Sequence, residues 1–217
     1  MRTRVKICCI ASEAEARLAM AHGADAIGLV AEMPSGPGPI PDAEIRAIAA
    51  GVPAGIATFL LTARAEATAI VAHARFCATT TVQLVDEVAR SAYAEIREAL
   101  PELKIVQVLH VGGEETVEAA RRVAPLVDAI LLDSGRPDGA VKELGGTGRV
   151  HDWQVSARVV EAIEGPVFLA GGLKPENVAE AIRTVRPYGV DLCSGVRTDG
   201  ALDGDRLAAF MAAVQQA

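Results

Sequence analysis

A thiol and a carboxyl stand at or near the ends of two apolar runs, Cys8 in Val5-Lys6-Ile7-Cys8-Cys9-Ile10 and Asp133 in Ala129-Ile130-Leu131-Leu132-Asp133. Packing supplies no reason for a carboxylate at the end of an otherwise apolar run, so Asp133 reads as a functional group, with a loop cap as its structural alternative. A cysteine close to a lysine and to a bound anion can hold enough thiolate character to take a proton from carbon. If both runs are strands of one parallel barrel, Cys8 and Asp133 lie at or beyond the C-terminal ends, where such folds gather their chemistry. Together they would form a proton acceptor and donor pair. Strand parity sends Lys6 and Cys8 inward and Val5, Ile7 and Cys9 toward the helices.

Three glycine-bearing segments suggest what the pair acts on: Gly145-Gly146-Thr147-Gly148, Gly171-Gly172 and Ser194-Gly195. Glycine lets the backbone approach a ligand and leaves amides free, and the last two segments follow consecutive apolar runs, where barrels often hold phosphate. No G-x-G-x-x-G fingerprint or Walker loop is present, so the expected ligand is a sugar phosphate rather than a nucleotide. The four cysteines, Cys8, Cys9, Cys77 and Cys193, make neither a C-x-x-C pair nor a zinc spacing, and Cys9, Cys77 and Cys193 read as small buried apolar groups. His22, His73 and His151 show no ligand spacing, and His110 ends an apolar run where it could meet a ligand or cap a helix. Neither a metal nor an organic cofactor is expected.

The elements that must position these groups alternate regularly. Eight Val- and Ile-rich runs begin at Arg4, Ala26, Gly55, Thr81, Lys104, Ala129, Val167 and Val190. Between them lie stretches with three- and four-residue apolar spacing and cap signals such as Ser12-x-x-Glu15 and Pro41-Asp42. This pattern predicts an α/β chain folded as a closed (β/α)8 barrel, one domain over residues 1–217; an open flavodoxin-like sheet is the competitor, disfavoured by the eighth strand. Residues 32–40 and 134–151 form the two long connections on the expected catalytic face, both with Gly and Pro, and so are candidates for lids or substrate walls. At 51% hydrophobic the chain can bury a full core, and a net charge of -7 without a basic stripe excludes nucleic acid and anionic membrane as natural partners. With no leader and no apolar run of roughly 18 residues, a cytoplasmic protein, monomer or homodimer, is expected.

Over nearly its whole length the chain resembles the phosphoribosylanthranilate isomerase family. The resemblance rests on Val5-Lys6-Ile7-Cys8, His22-Gly23-Ala24-Asp25-Ala26-Ile27-Gly28, Val82-Gln83-Leu84, Leu131-Leu132-Asp133, Gly145-Gly146-Thr147-Gly148 with Asp152-Trp153, Gly171-Gly172-Leu173 with Pro175-Glu176-Asn177-Val178, and Val190-Asp191 with Ser194-Gly195-Val196. It implies a cofactor-independent Amadori rearrangement in tryptophan biosynthesis, with Cys8 as general base and Asp133 as general acid. Substrate or phosphate contacts would fall to Lys6, Ser35, Gln83, Gly146, Thr147, Gly148, Gly171, Gly172, Ser194, Gly195 and Arg197.

The chain also departs from the family pattern. Cys9 stands where the family has glycine, Pro37 where it has the arginine that holds the anthranilate carboxylate, Val85 where histidine is usual, and Arg197 where an acidic residue is usual. Loss of a charge-assisted carboxylate contact costs roughly 2 kcal/mol unless another cation substitutes, and Arg136 and Arg197 are the candidates. The alternatives are a paralogous isomerase for a different phosphosugar amine or aldose, and a phosphate-ligand binding module, the latter disfavoured because binding alone needs neither Cys8 nor Asp133.

Overall fold

The structure, a computed structural model, describes residues 2–34, 36–135 and 151–217. Eight parallel strands close into a barrel: β1 (Arg4–Ile7), β2 (Ala26–Val30), β3 (Ala57–Thr62), β4 (Thr81–Leu84), β5 (Lys104–His110), β6 (Ala129–Asp133), β7 (Val167–Leu169) and β8 (Gly189–Leu192). Closure runs through β1 and β8, with Val5 opposite Val190 and Lys6 opposite Asp191. Each strand is followed by a helix: α1 (Glu13–Ala21), α2 (Asp42–Ala50), α3 (Ala67–Cys77), α4 (Arg90–Ala99), α5 (Glu114–Val123), α6 (Trp153–Ala162), α7 (Val178–Val185) and α8 (Gly204–Gln215). A hairpin of β9 (Arg197–Thr198) and β10 (Ala201–Leu202) precedes α8. Among the described residues no helix is long and apolar enough to cross a membrane.

Local chemistry starts the helices. Ser12 Oγ accepts from the Glu15 amide at 3.2 Å, Asp152 from that of Gln154 at 2.8 Å, and Asp203 from those of Asp205 and Arg206 at 3.0 and 3.1 Å. Each side chain satisfies an amide that the first turn leaves without a helical partner. Two packed layers follow from strand alternation. Val5, Ile7, Ile27, Leu29 and Leu60 face outward onto Ile45, Ile70, Ile96 and Phe210 of the helices, while Cys8, Val30, Phe59, Val106, Leu131 and Phe168 fill the interior. Near the N-terminal end of the barrel, Phe168 makes edge-to-face contacts with Phe59 and Tyr188, at centroid separations of 5.9 and 5.4 Å.

Two strands differ from the sequence expectation by more than one residue. The first strand ends at Ile7 rather than Ile10, because Cys9 takes a left-handed backbone with φ of 60°. The third begins at Ala57 and runs to Thr62, two residues later than its apolar run begins and ends, since the Gly55 end lies in a turn.

Candidate active site

At the C-terminal end of the barrel a cavity of about 750 Å³, counted out to its open mouth, collects side chains from most of the strands. Cys8 enters from just beyond β1, Gln83 from β4, Asp133 from β6 and Asp191 from β8; Gly171, Gly172, Cys193 and Ser194 come from the turns after β7 and β8. Met33, Gly36 and Pro37, in the connection after β2, form an opposing wall.

The carboxyl and the thiol sit in different electrostatic settings. Burial pushes the Asp133 pKa above the ordinary carboxylate value, and the charge of Asp191 adds to it, against the Ser134 amide that donates to Asp133 Oδ1 at 2.7 Å. The fold thus shifts the carboxyl toward its protonated form. Beneath it Lys6, fully buried, lies 2.9 Å from Asp191 Oδ1, close enough to pair although off the hydrogen-bonding angle. Burial alone would lower the Lys6 pKa, but the charges of Asp191 and Cys8 outweigh it and raise it, so the ammonium persists under the thiol. Gln83 Oε1 is buried without a hydrogen-bond partner among the described residues. A wasted buried acceptor costs about 1–3 kcal/mol, which marks Gln83 as a group awaiting a ligand.

Gly171 and Gly172 have φ of 87° and 64°, a left-handed pair that side-chain-bearing residues rarely adopt. Their amides, and that of Ser194, donate to no backbone acceptor among the described residues. Successive free amides of this kind make a concave anion seat.

Several residues are placed otherwise than the sequence reading expects. Cys9 does not face the helices: its left-handed backbone breaks the alternation and brings its sulfur to the cavity, 3.6 Å from the Pro37 carbonyl oxygen. There hydrogen bonding to Cys193, with further contributions from Cys8 and burial, raises the Cys9 pKa. The same bond from Cys9 lowers that of Cys193 despite burial, helped by the Arg197 charge. Arg197 is not a carboxylate receptor in the cavity. Its guanidinium grips Glu15 in a bidentate pair at 2.8 and 2.9 Å and donates to the carbonyls of Cys9 and Gly200, so the fork is already spent tying the β9–β10 hairpin to α1 and the end of β1. Burial would raise the Glu15 pKa, but Arg197 and the amides of Ala11 and Leu202 hold it below the ordinary value. Lys6 does not line the cavity but lies fully buried behind Asp191. Gly195 serves close packing, since a Cβ there would collide with the Leu173 carbonyl. Ser35, Arg136, Gly146, Thr147 and Gly148 lie outside the described residues.

The chain matches the family model described as N-(5'phosphoribosyl)anthranilate (PRA) isomerase over residues 5–213. It belongs to the phosphoribosylanthranilate isomerase family. The N-(5'-phosphoribosyl)anthranilate isomerase of Haloferax volcanii is 39% identical, over 99% of this chain and 94% of that one. The crystal structure of phosphoribosyl anthranilate isomerase from Thermotoga maritima superposes with a TM-score of 0.84 at 29% identity, covering 99% of this chain and 100% of the other. Another structure of such an isomerase, in complex with reduced 1-(o-carboxyphenylamino)-1-deoxyribulose 5-phosphate, gives 0.82 at 27% identity, covering 99% and 100%.

Against the isomerase family pattern, the departures now have positions. Pro37 and Val85, in place of the family arginine and histidine, both line the cavity and make that wall apolar. Cys9, in the place of the family glycine, occupies a left-handed position where glycine is the unstrained choice. Outside the cavity, Asp42, His73 and Cys77 bring donor atoms within 4.8 Å of one another. Spacing along the chain missed this cluster because Asp42 comes from a different helix, although the i, i+4 relation of His73 and Cys77 was a signal available in the sequence.

Proposed function

We propose that this isomerase acts on N-(5-phosphoribosyl)anthranilate through Cys8 as general base and Asp133 as general acid. The observation that carries the reading is their convergence on one cavity, with Asp133 in a buried setting that raises its pKa and Cys8 above a buried ammonium. The Asp133 proton goes to the furanose ring oxygen as the bond from that oxygen to C1 breaks, giving an open Schiff base. The Cys8 thiolate then takes the proton from C2, the electron pair moves toward nitrogen as an enolamine forms, and tautomerisation yields the 1-amino-1-deoxyketose. Two groups of opposite protonation state in one site satisfy this chemistry. The phosphate falls to the Gly171-Gly172 and Ser194 amides, and Gln83 supplies a polar contact to the substrate; the free amides and the orphan Oε1 support these roles.

The test is steady-state turnover of freshly generated substrate, followed by loss of its fluorescence under anaerobic conditions. Cys8→Ala and Asp133→Asn should each lower turnover by at least about 10²-fold while inorganic phosphate still binds. Full activity in either variant removes that residue from its role. No turnover by the unaltered, folded, phosphate-binding protein would instead assign it a phosphosugar amine or aldose without the aromatic carboxylate, the reading that the apolar Pro37 and Val85 wall favours.

A further inference from the structure

Three donors of different chemistry converge beside the connection that follows β2, away from the reaction cavity. His73 and Cys77 stand one turn apart on α3 and share a face. Asp42 opens α2, and the packing of α2 on α3 brings its carboxylate to the same point. His73 Nε2 lies 3.0 Å from Asp42 Oδ1, and Nδ1 lies 3.1 Å from Thr62 Oγ1 at the end of β3. His73 and Cys77 are buried, while a separate pocket lined by Glu32, Met33, Arg64, Asp42 and His73 opens onto the group.

We propose that Asp42 Oδ1, His73 Nε2 and Cys77 Sγ bind a borderline divalent cation of the zinc class, with a solvent oxygen from the adjoining pocket as fourth donor.

One nitrogen, one sulfur and one carboxylate oxygen are the donor types such a cation accepts in tetrahedral geometry, and three protein ligands leave one position open. Donors already within 4.8 Å of one another need only small rotations to close on a common centre. Thr62 supplies the outer contact that metal-bound histidines require, because it can accept from Nδ1–H once Nε2 turns to the metal. Arg64 pairs loosely, at 3.9 Å, with the other carboxylate oxygen, Oδ2, and leaves Oδ1 available. A carboxylate and a thiolate together neutralise the dication. A hydrogen-bonded clamp of Asp42, His73 and Thr62 would explain those three residues and leave the thiol only a packing role. A cysteine thiol ordinarily keeps its proton at neutral pH and binds a metal only as the thiolate. Metal binding must therefore release about one proton.

The experiment titrates the reduced, chelator-stripped full chain with Co²⁺ and then Zn²⁺. The expected result is one equivalent bound, a near-ultraviolet thiolate-to-cobalt charge-transfer band, visible bands of four-coordinate intensity, and displacement by Zn²⁺. Calorimetry in buffers of different ionisation enthalpy should give about one proton released. Cys77→Ser should abolish the charge-transfer band, and Asp42→Asn, at a partly exposed position, should weaken Zn²⁺ binding by at least about 10-fold, the scale seen even for outer contacts. A combined Cys9→Ala and Cys193→Ala variant should leave band and affinity unchanged. A band absent from the unaltered protein, surviving Cys77→Ser, or lost with Cys9 and Cys193 overturns the proposal. If Cys77→Ser does not fold, unaltered Zn²⁺ affinity in Asp42→Asn overturns it.

Discussion

Asp133 is costly to the fold that holds it. Its pKa is raised by burial in the folded chain, so folded and unfolded states both carry the proton below the ordinary value of 3.8 and pay nothing there. As the pH rises from 3.8 through the folded pKa, the unfolded chain ionises first and stability falls. At pH 7, Asp133→Asn should therefore melt at a higher temperature than the unaltered protein, the gain narrowing as the pH approaches 3.8, since asparagine keeps an oxygen for the Ser134 amide without the charge. Calorimetric melts across that range check this, and equal melting temperatures at pH 7 would show that the carboxyl is not strained by burial. Asp133 was legible in the sequence because a carboxyl ending an apolar run has no packing role, and Cys8 because strand parity aims it inward. Cys9 and Arg197 were not legible. A single left-handed residue reverses the facing of the first, and a partner distant in sequence, Glu15, claims the second.

At the level of elements, the eight strands could be read from apolar runs because β-rich segments buried on both faces are apolar throughout. Their ends could not, since Gly55 and Cys9 stop or delay strands through backbone conformation rather than through hydrophobicity. The two-residue strands β9 and β10 are too short to leave any periodic trace. The entry to α6 carries its own liability. Burial lowers the His151 pKa to about 4, with Nε2 2.8 Å from Ser156 Oγ. A histidine kept neutral in the fold binds its proton in the unfolded state first, so stability is lost as the pH falls from about 6.5 toward 4, by up to roughly 3 kcal/mol. His151→Gln should lose less stability between pH 7 and pH 5, measured by urea unfolding. An identical loss in both proteins would place the acid sensitivity elsewhere.

For the molecule as a whole, closure depends on β8 lying close to the aromatic group near the N-terminal end of the barrel. A Cβ on Gly189 would come within 2.6 Å of Phe168, which is held between Phe59 and Tyr188 and has little room to yield. Gly189→Ala should cost about 1–3 kcal/mol of unfolding free energy, the usual range for overpacking. Because this contact lies toward the opposite end from the cavity, KM should be unchanged; denaturant midpoints together with steady-state kinetics test both parts. Destabilisation below about 0.5 kcal/mol, the scale of an inconsequential surface substitution, would mean that the aromatic group repacks freely.

The break in alternation at Cys9 gathers three sulfur atoms, those of Cys8, Cys9 and Cys193, around one mouth. Of these, Cys193 is the most exposed, and its thiol is lowered by the bond from Cys9 and by Arg197. A soft alkylating reagent arriving from solvent will meet Cys193 first, and the adduct will block the cavity whether or not the base has reacted. Chemical inactivation by such a reagent, and protection from it by substrate, would thus label a bystander; in this chain the proposed base is tested by substitution and not by modification.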